Sequence, residues 1–508
     1  MQKGFSTIEL MIAMAILVLV LSAVVVVSFS NQSYLIGSET NAEAMRLAQG
    51  LLEEEQALGR KDFNLVNPRS AVAQGVYSKT VHVTLLPDYL TKEVKALVSW
   101  TGERGQNRSV ELNTLITNFE TPLGGDTCDS TIKEGDDWAN PKIERTIDFS
   151  NLGGIPDGTY TLTDVDAYKN KLYVTAGRAA DPDDSSNKGL PTFFVFDVSD
   201  PDDPELEGEV DNASGVIMGL NAVHVSESSA QLKTYAYTAS NTSSDYSICD
   251  PKTDPACGQL VLFDVTSPTN PKWETNLKIE SPAVTGLTTG ESIFYKNGYL
   301  LLGLAKADGP EFHVIDMHNP SVWLGSSHLV YSSGSFEIDI VIKALAMRGA
   351  YAYLGTPNSK ELQILNLSNP SSPDPVGEFS GASTGNGESI YLVGDNLYFG
   401  KTSSLTGPEF YILDASNPET VLPDLGSEEI NASVNEVIVR DYLAFLLTNN
   451  ELKIYRIDDP ANIALQGSLS LSSSGSSTKP SMDCEGNRLF ITSNNGSGAG
   501  FLYVVKPN

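Results

Sequence analysis

The chain has 508 residues, too many for one ordinary core, so two or more domains are expected. Its 33 basic residues stand against 64 acidic ones, a net charge of −31, and such a surface repels phosphate backbones, so no nucleic-acid partner is expected. Apolar residues make up 41%, enough for packed cores, and the acidic excess suits a secreted, soluble surface or one that gathers cations such as calcium.

Leu10 to Phe29 is an apolar run interrupted only by Ser22 and Ser28, with Lys3 ahead of it. At ~1.5 Å per residue the run matches a ~30 Å hydrocarbon layer, and no small-residue cleavage site follows it. From Glu39 the chain reads ETNAEAMRLAQGLLEEEQAL, with Ala44, Leu47, Ala48, Leu51 and Leu58 at helical spacing. The expectation is one helix from about Phe5 to about Ala57, roughly 80 Å long.

The stretch KGFSTIEL, leading directly into the apolar run, resembles the class III signal of type IV prepilins and pseudopilins. The resemblance implies a leader of residues 1–4 that prepilin peptidase removes after Gly4. It also implies N-methylation of Phe5 and a role for Glu9 in pilus assembly. A carboxylate at bilayer depth is costly, and pairing with the Phe5 amine of a neighbouring pilin would offset that cost. The implied location is the bacterial inner membrane as a single-pass precursor with a periplasmic C-terminus, then a pilus on the cell surface.

VYSKTVHVTLLP, KEVKALVSW and RSVELNTLITNF alternate apolar and polar residues and predict three antiparallel strands. With the helix (5–58) they form an expected α+β module in which residues 59–119 are a small sheet. Their spacing is similar to that of small minor pilins. Residues 120–141, rich in Gly, Pro, Asp and Thr without periodicity, read as a linker.

The remainder repeats. FFVFDVSDP, LVLFDVTSP, FHVIDMHNP, LQILNLSNP, FYILDASNP and LKIYRIDDP align on Asp197, Asp264, Asp316, Asn366, Asp414 and Arg456, each with a proline four residues on. Units of this length with about four strands each predict an all-β seven-bladed propeller over 142–508, closed by strand 142–150. The pattern resembles LVIVD-type propeller repeats. The aspartates are expected to bond local backbone amides.

An even cysteine count favours two disulfides: Cys249 with Cys257 across a polar loop, and Cys128 with Cys484 near the closure. Asp181, Asp183 and Asp184, with Asn187, have oxygen-rich spacing, although the EF-hand pattern fails; Glu291 and Glu388 precede inner strands and could offer channel carboxylates. Calcium is the only cofactor these positions suggest. The five histidines are scattered, none in a hydrolase or metalloprotease motif, so no enzyme is expected. The function expected is a minor type IV pilin displaying a propeller near the pilus tip, for adhesion or recognition of a surface ligand. Alternatives are a pseudopilin of a secretion or DNA-uptake machine, and a tethered propeller hydrolase.

Overall fold

The computed structural model describes residues 40–56, 58, 66–85, 91–102, 105–117, 127–128, 132–133, 135–155, 159–177, 191–210, 219–228, 233–240, 258–281, 289–296, 298–318, 329–357, 359–381, 385–404, 407–471 and 478–508. The chain divides into two compact units, Met1–Glu120 and Thr121–Asn508.

In the first unit four antiparallel strands, Arg69–Gln74, Tyr77–Leu85, Thr91–Thr101 and Asn107–Thr117, lie in chain order. Alternation places Val81, Val94, Ala96, Val98 and Ile116 on one face, and a helix over residues 40–56 buries Ala44, Ala48 and Leu51 among them. The two small alanines let helix and sheet approach closely.

Two expectations are corrected here. The class α+β, built on a helix from Phe5 to Ala57, gives way to a chain that is nearly all β among the described residues, with one short helix over 40–56. The location as a single-pass inner-membrane precursor is also overturned: among the described residues no helix is long and apolar enough to cross a membrane. The described helix carries Glu43, Arg46, Glu53, Glu54 and Glu55, and a bilayer does not accommodate that many charges. The apolar run Leu10–Phe29 lies outside the described residues.

Among its described residues the second unit holds seven four-stranded antiparallel sheets, two of them extended by one short parallel strand. Their inner strands are Leu162–Ala167, Leu220–Ser228, Gly290–Lys296, Ala344–Arg348, Gly387–Val393, Glu436–Arg440 and Ser481–Gly486. Each touches the next, and the seventh touches the first, so the arrangement is a propeller-like ring around a central channel. In blade seven the outermost strand is Lys142–Asp148, paired with Gly500–Lys506. Closing the ring with an early strand leaves no sheet edge open between the first and last blades.

The repeated turn has a structural job. Asp197, Asp264, Asp316, Asn366 and Asp414 each accept the amide N–H two residues on, at 2.8–3.0 Å. Arg456 departs from the pattern and pairs with Asp458. A further copy precedes the first blade: DWANP, residues 137–141, where Asp137 Oδ1 accepts the Ala139 N–H at 3.1 Å. Trp138 fills the buried position that Val198, Val265, Met317, Leu367, Ala415 and Ile457 hold in the other turns. Residues 137–141, read above as linker, are therefore the turn of blade seven, and Asn508 donates its amide to the Asp137 carbonyl beside it.

Five of these turns also meet the preceding blade through a glycine. Gly208, Gly334, Gly377, Gly426 and Gly467, all in outer strands, lie against Pro268, Pro370, Pro418, Pro460 and the Trp138–Ala139 backbone respectively. A Cβ at any of them would overlap a carbonyl oxygen of that neighbour. Between blades seven and one the matching outer-strand residue is Arg145, which pairs with Asp203, while Arg488 and Lys506 pair with Asp202. Those two cations hold the Asp202 carboxyl down at about 2, the Arg488 bond being the larger cause.

Candidate functional site

Most of the inner strands carry polar residues near their starts, Thr163 and Asp164, Asn221, Glu291 and Ser292, Glu388 and Ser389, Glu436 and Ser481, and these line the channel mouth. The mouth encloses a cavity of about 360 Å³ lined from all seven blades, including Asp164, Asn221, Glu291, Lys343, Glu388, Asn435 and Lys479. A second cavity of about 180 Å³ lies against it, sharing Asp164, Leu345, Ile390, Glu436 and Ser481, and is lined by apolar side chains such as Val223, Phe294 and Met482 together with the carboxylates of Asp166 and Asp483.

Ring closure uses most of the short side chains. Thr163, Ser292 and Ser389 donate to the carbonyls of Leu220, Ile342 and Val434 on the following blades. Carboxylates satisfy amides that an inner strand would otherwise point at the channel. Asp164 accepts from Val223 at 2.8 Å, Asp166 from Val225 at 2.5 Å, and Asp483 from Ala167 at 2.5 Å. Asp164 also accepts Ser481 Oγ–H at 2.5 Å. Burial nevertheless dominates at Asp164 and raises its carboxyl to about 6.

The two predicted channel glutamates are both here, and both are paired. Lys343 Nζ lies 3.0 Å from Glu291, which also accepts from Thr289 Oγ1 at 2.9 Å. Lys479 pairs with Glu388. Burial, and then the like charge of Lys343, push the Lys479 ammonium down to about 8. A divalent cation between the glutamates would have to displace two ammoniums, so this geometry disfavours the calcium reading for Glu291 and Glu388. Neither lysine was singled out in the sequence.

Cys128 and Cys484 form a disulfide with Cα atoms 5.2 Å apart. It sits where Thr127–Cys128 pairs with the end of the inner strand Ser481–Gly486, at the opposite end of the channel from the mouth. Cys128, Asp483 and Cys484 are the grouping with metal-ligand proximity among the described residues, but the disulfide leaves no thiolate there. Gly4, Phe5, Glu9, Asp181, Asp183, Asp184, Asn187, Cys249 and Cys257 lie outside the described residues. Two buried glutamates also escaped the sequence reading: Glu311 accepts the amides of Ile338 and Asp339, and Glu409 those of Ile430 and Asn431. The shared GPEF stretch was their signal.

The LVIVD repeat model matches residues 343–380. That stretch is blade four, from the start of its inner strand Ala344–Arg348 to the end of its outer strand Asp374–Phe379. Solved structures similar to the chain include a functionally unknown protein from Desulfotomaculum acetoxidans DSM 771, at 12% identity and TM-score 0.44 over 60% of this chain and 86% of that one. The AfRom2 CNH domain aligns at 8% identity and TM-score 0.40, over 73% and 99% of the two chains. The N-terminal domain of Nup159 aligns at 11% and 0.39, over 76% and 99%. No curated protein matches the chain in sequence.

Proposed function

We propose that the chain is a recognition protein that binds its ligand at the channel mouth and is carried by a pilin-like N-terminal segment, as a minor pilin. The observation that carries the recognition half is the cavity itself. It is concave, polar, lined from every blade, and lies at the channel end opposite the disulfide-bonded entry of the chain. The pilin half rests on KGFSTIEL, in which Gly4, Phe5 and Glu9 stand at the places that the prepilin pattern requires.

Mutant strains test the two halves separately. Glu9→Val should abolish incorporation into filaments, and Ala344→Trp, which fills the mouth, should preserve incorporation and abolish adhesion. Adhesion unchanged in the Ala344→Trp strain would overturn the recognition half. Normal filament incorporation of Glu9→Val would overturn the pilin half.

A further inference from the structure

We propose that the ligand at the channel mouth is a neutral cyclic polyol, a sugar of one or two rings; this rests on the recognition reading above. The first ground is charge. Lys343 with Glu291 and Lys479 with Glu388 form two compensated pairs facing one cavity. A lone cation attracted to either glutamate is repelled by the adjoining lysine, and a lone anion meets the reverse.

The second ground is hydrogen-bonding capacity. An ammonium has three protons and a carboxylate about four lone-pair sites, so each pair retains donors and acceptors after its own contact is made. The mouth thus presents donors and acceptors in alternation, and a sugar hydroxyl both donates and accepts. Asn221 and Asn435, which line the same cavity, each donate the amide NH2 to protein, to the Gly290 carbonyl and to Asn449 Oδ1.

The third ground is shape. Ile293, Leu345 and Ile390 add an apolar patch to the same cavity, suited to the C–H face of a pyranose. Its volume of about 360 Å³ is at the low end of the roughly 300–1,000 Å³ typical of small-molecule clefts. That size admits a terminal sugar or a disaccharide and leaves no room for a buried polymer.

Calorimetric titration of the full-length chain with neutral methyl glycosides, methyl glucuronide and methyl glucosaminide tests the assignment. A neutral glycoside should bind more tightly than both charged sugars, and Ala344→Trp should weaken it by about tenfold or more. Glu388→Gln, nearly isosteric, leaves Lys479 uncompensated and should improve the glucuronide by about tenfold relative to the neutral sugar. This second variant keeps the test informative should the tryptophan disturb folding. A charged sugar that binds the wild type best, or neutral binding unchanged by Ala344→Trp, would overturn the assignment. If no sugar binds while Ala344→Trp still abolishes adhesion, the sugar assignment fails and the recognition reading stands.

Discussion

Asn494, in blade seven, grips the backbone of Leu162, in blade one, with both ends of its amide. Oδ1 accepts the Leu162 N–H at 2.7 Å and Nδ2 donates to the Leu162 carbonyl at 2.7 Å. Both residues are buried, so this is a dry bond across the seam where the ring closes. Asn494→Asp places an acceptor against the Leu162 carbonyl and strands a buried group. It should cost about 2–4 kcal/mol, read as an earlier denaturant midpoint, with Asn494→Gln failing to restore it.

The contact between Gly426 and Pro460 makes a second prediction. Gly426→Ala puts a methyl into the Pro460 carbonyl, and the blade cannot retreat because its other face packs on blade four. The expected loss is about 1–3 kcal/mol. Gly394→Ala, at a hairpin with open space but φ of 56°, should lose only about 1 kcal/mol. Paired thermal melts decide whether steric contact between blades or local backbone strain is the larger effect.

Removing the disulfide by Cys128→Ser with Cys484→Ser should lower stability by roughly 2–5 kcal/mol. The strand Thr127–Cys128 should then lose protection in hydrogen exchange ahead of the rest of blade seven. Equal protection in variant and wild type would show that the short strand holds without the covalent link.

Acid sensitivity follows from His224 and His313. Burial holds both imidazoles down at about 4, and His313 Nε2 is tied to the Pro310 carbonyl at 2.7 Å. The unfolded chain binds these protons near pH 6.5 and the folded chain only near 4. Stability therefore falls as pH drops through that window. Asp164, raised to about 6, acts oppositely, since its folded form keeps a proton that the unfolded chain releases near 3.8. Wild type should thus lose stability between pH 6.5 and 4, and a His224→Gln/His313→Gln double variant should lose less. Midpoints measured at half-unit pH steps give the slopes, and parallel slopes would remove the histidines as the cause.

The six turns were readable because Asp197, Asp264 and their counterparts repeat a local bond whose partners lie two residues apart. The seventh was hidden because DWANP stands before blade one and its Trp138 replaces a smaller apolar residue. Glu291 and Glu388 could be placed at the channel from their position before an inner strand. Lys343 and Lys479 could not, since only the ring brings Lys479 of blade seven against Glu388 of blade five. The glycine–proline contacts were equally invisible, each being made between blades and not within one. The class reading failed where helical spacing over Ala44, Leu47, Ala48 and Leu51 was extended into a dominant element; the described helix is short and the fold rests on strands.

The displaced seventh turn sets a schedule for synthesis. Cys128 leaves the ribosome 356 residues ahead of Cys484, a wait of roughly 20–70 s at about 5–20 residues per second. Through that interval Lys142–Asp148 has no neighbour to pair with, and Cys249 and Cys257 become available to the waiting thiol before its proper partner does. Six blades can be complete while the ring is still open. Ring closure and the Cys128–Cys484 bond therefore both wait for the last blade to be made.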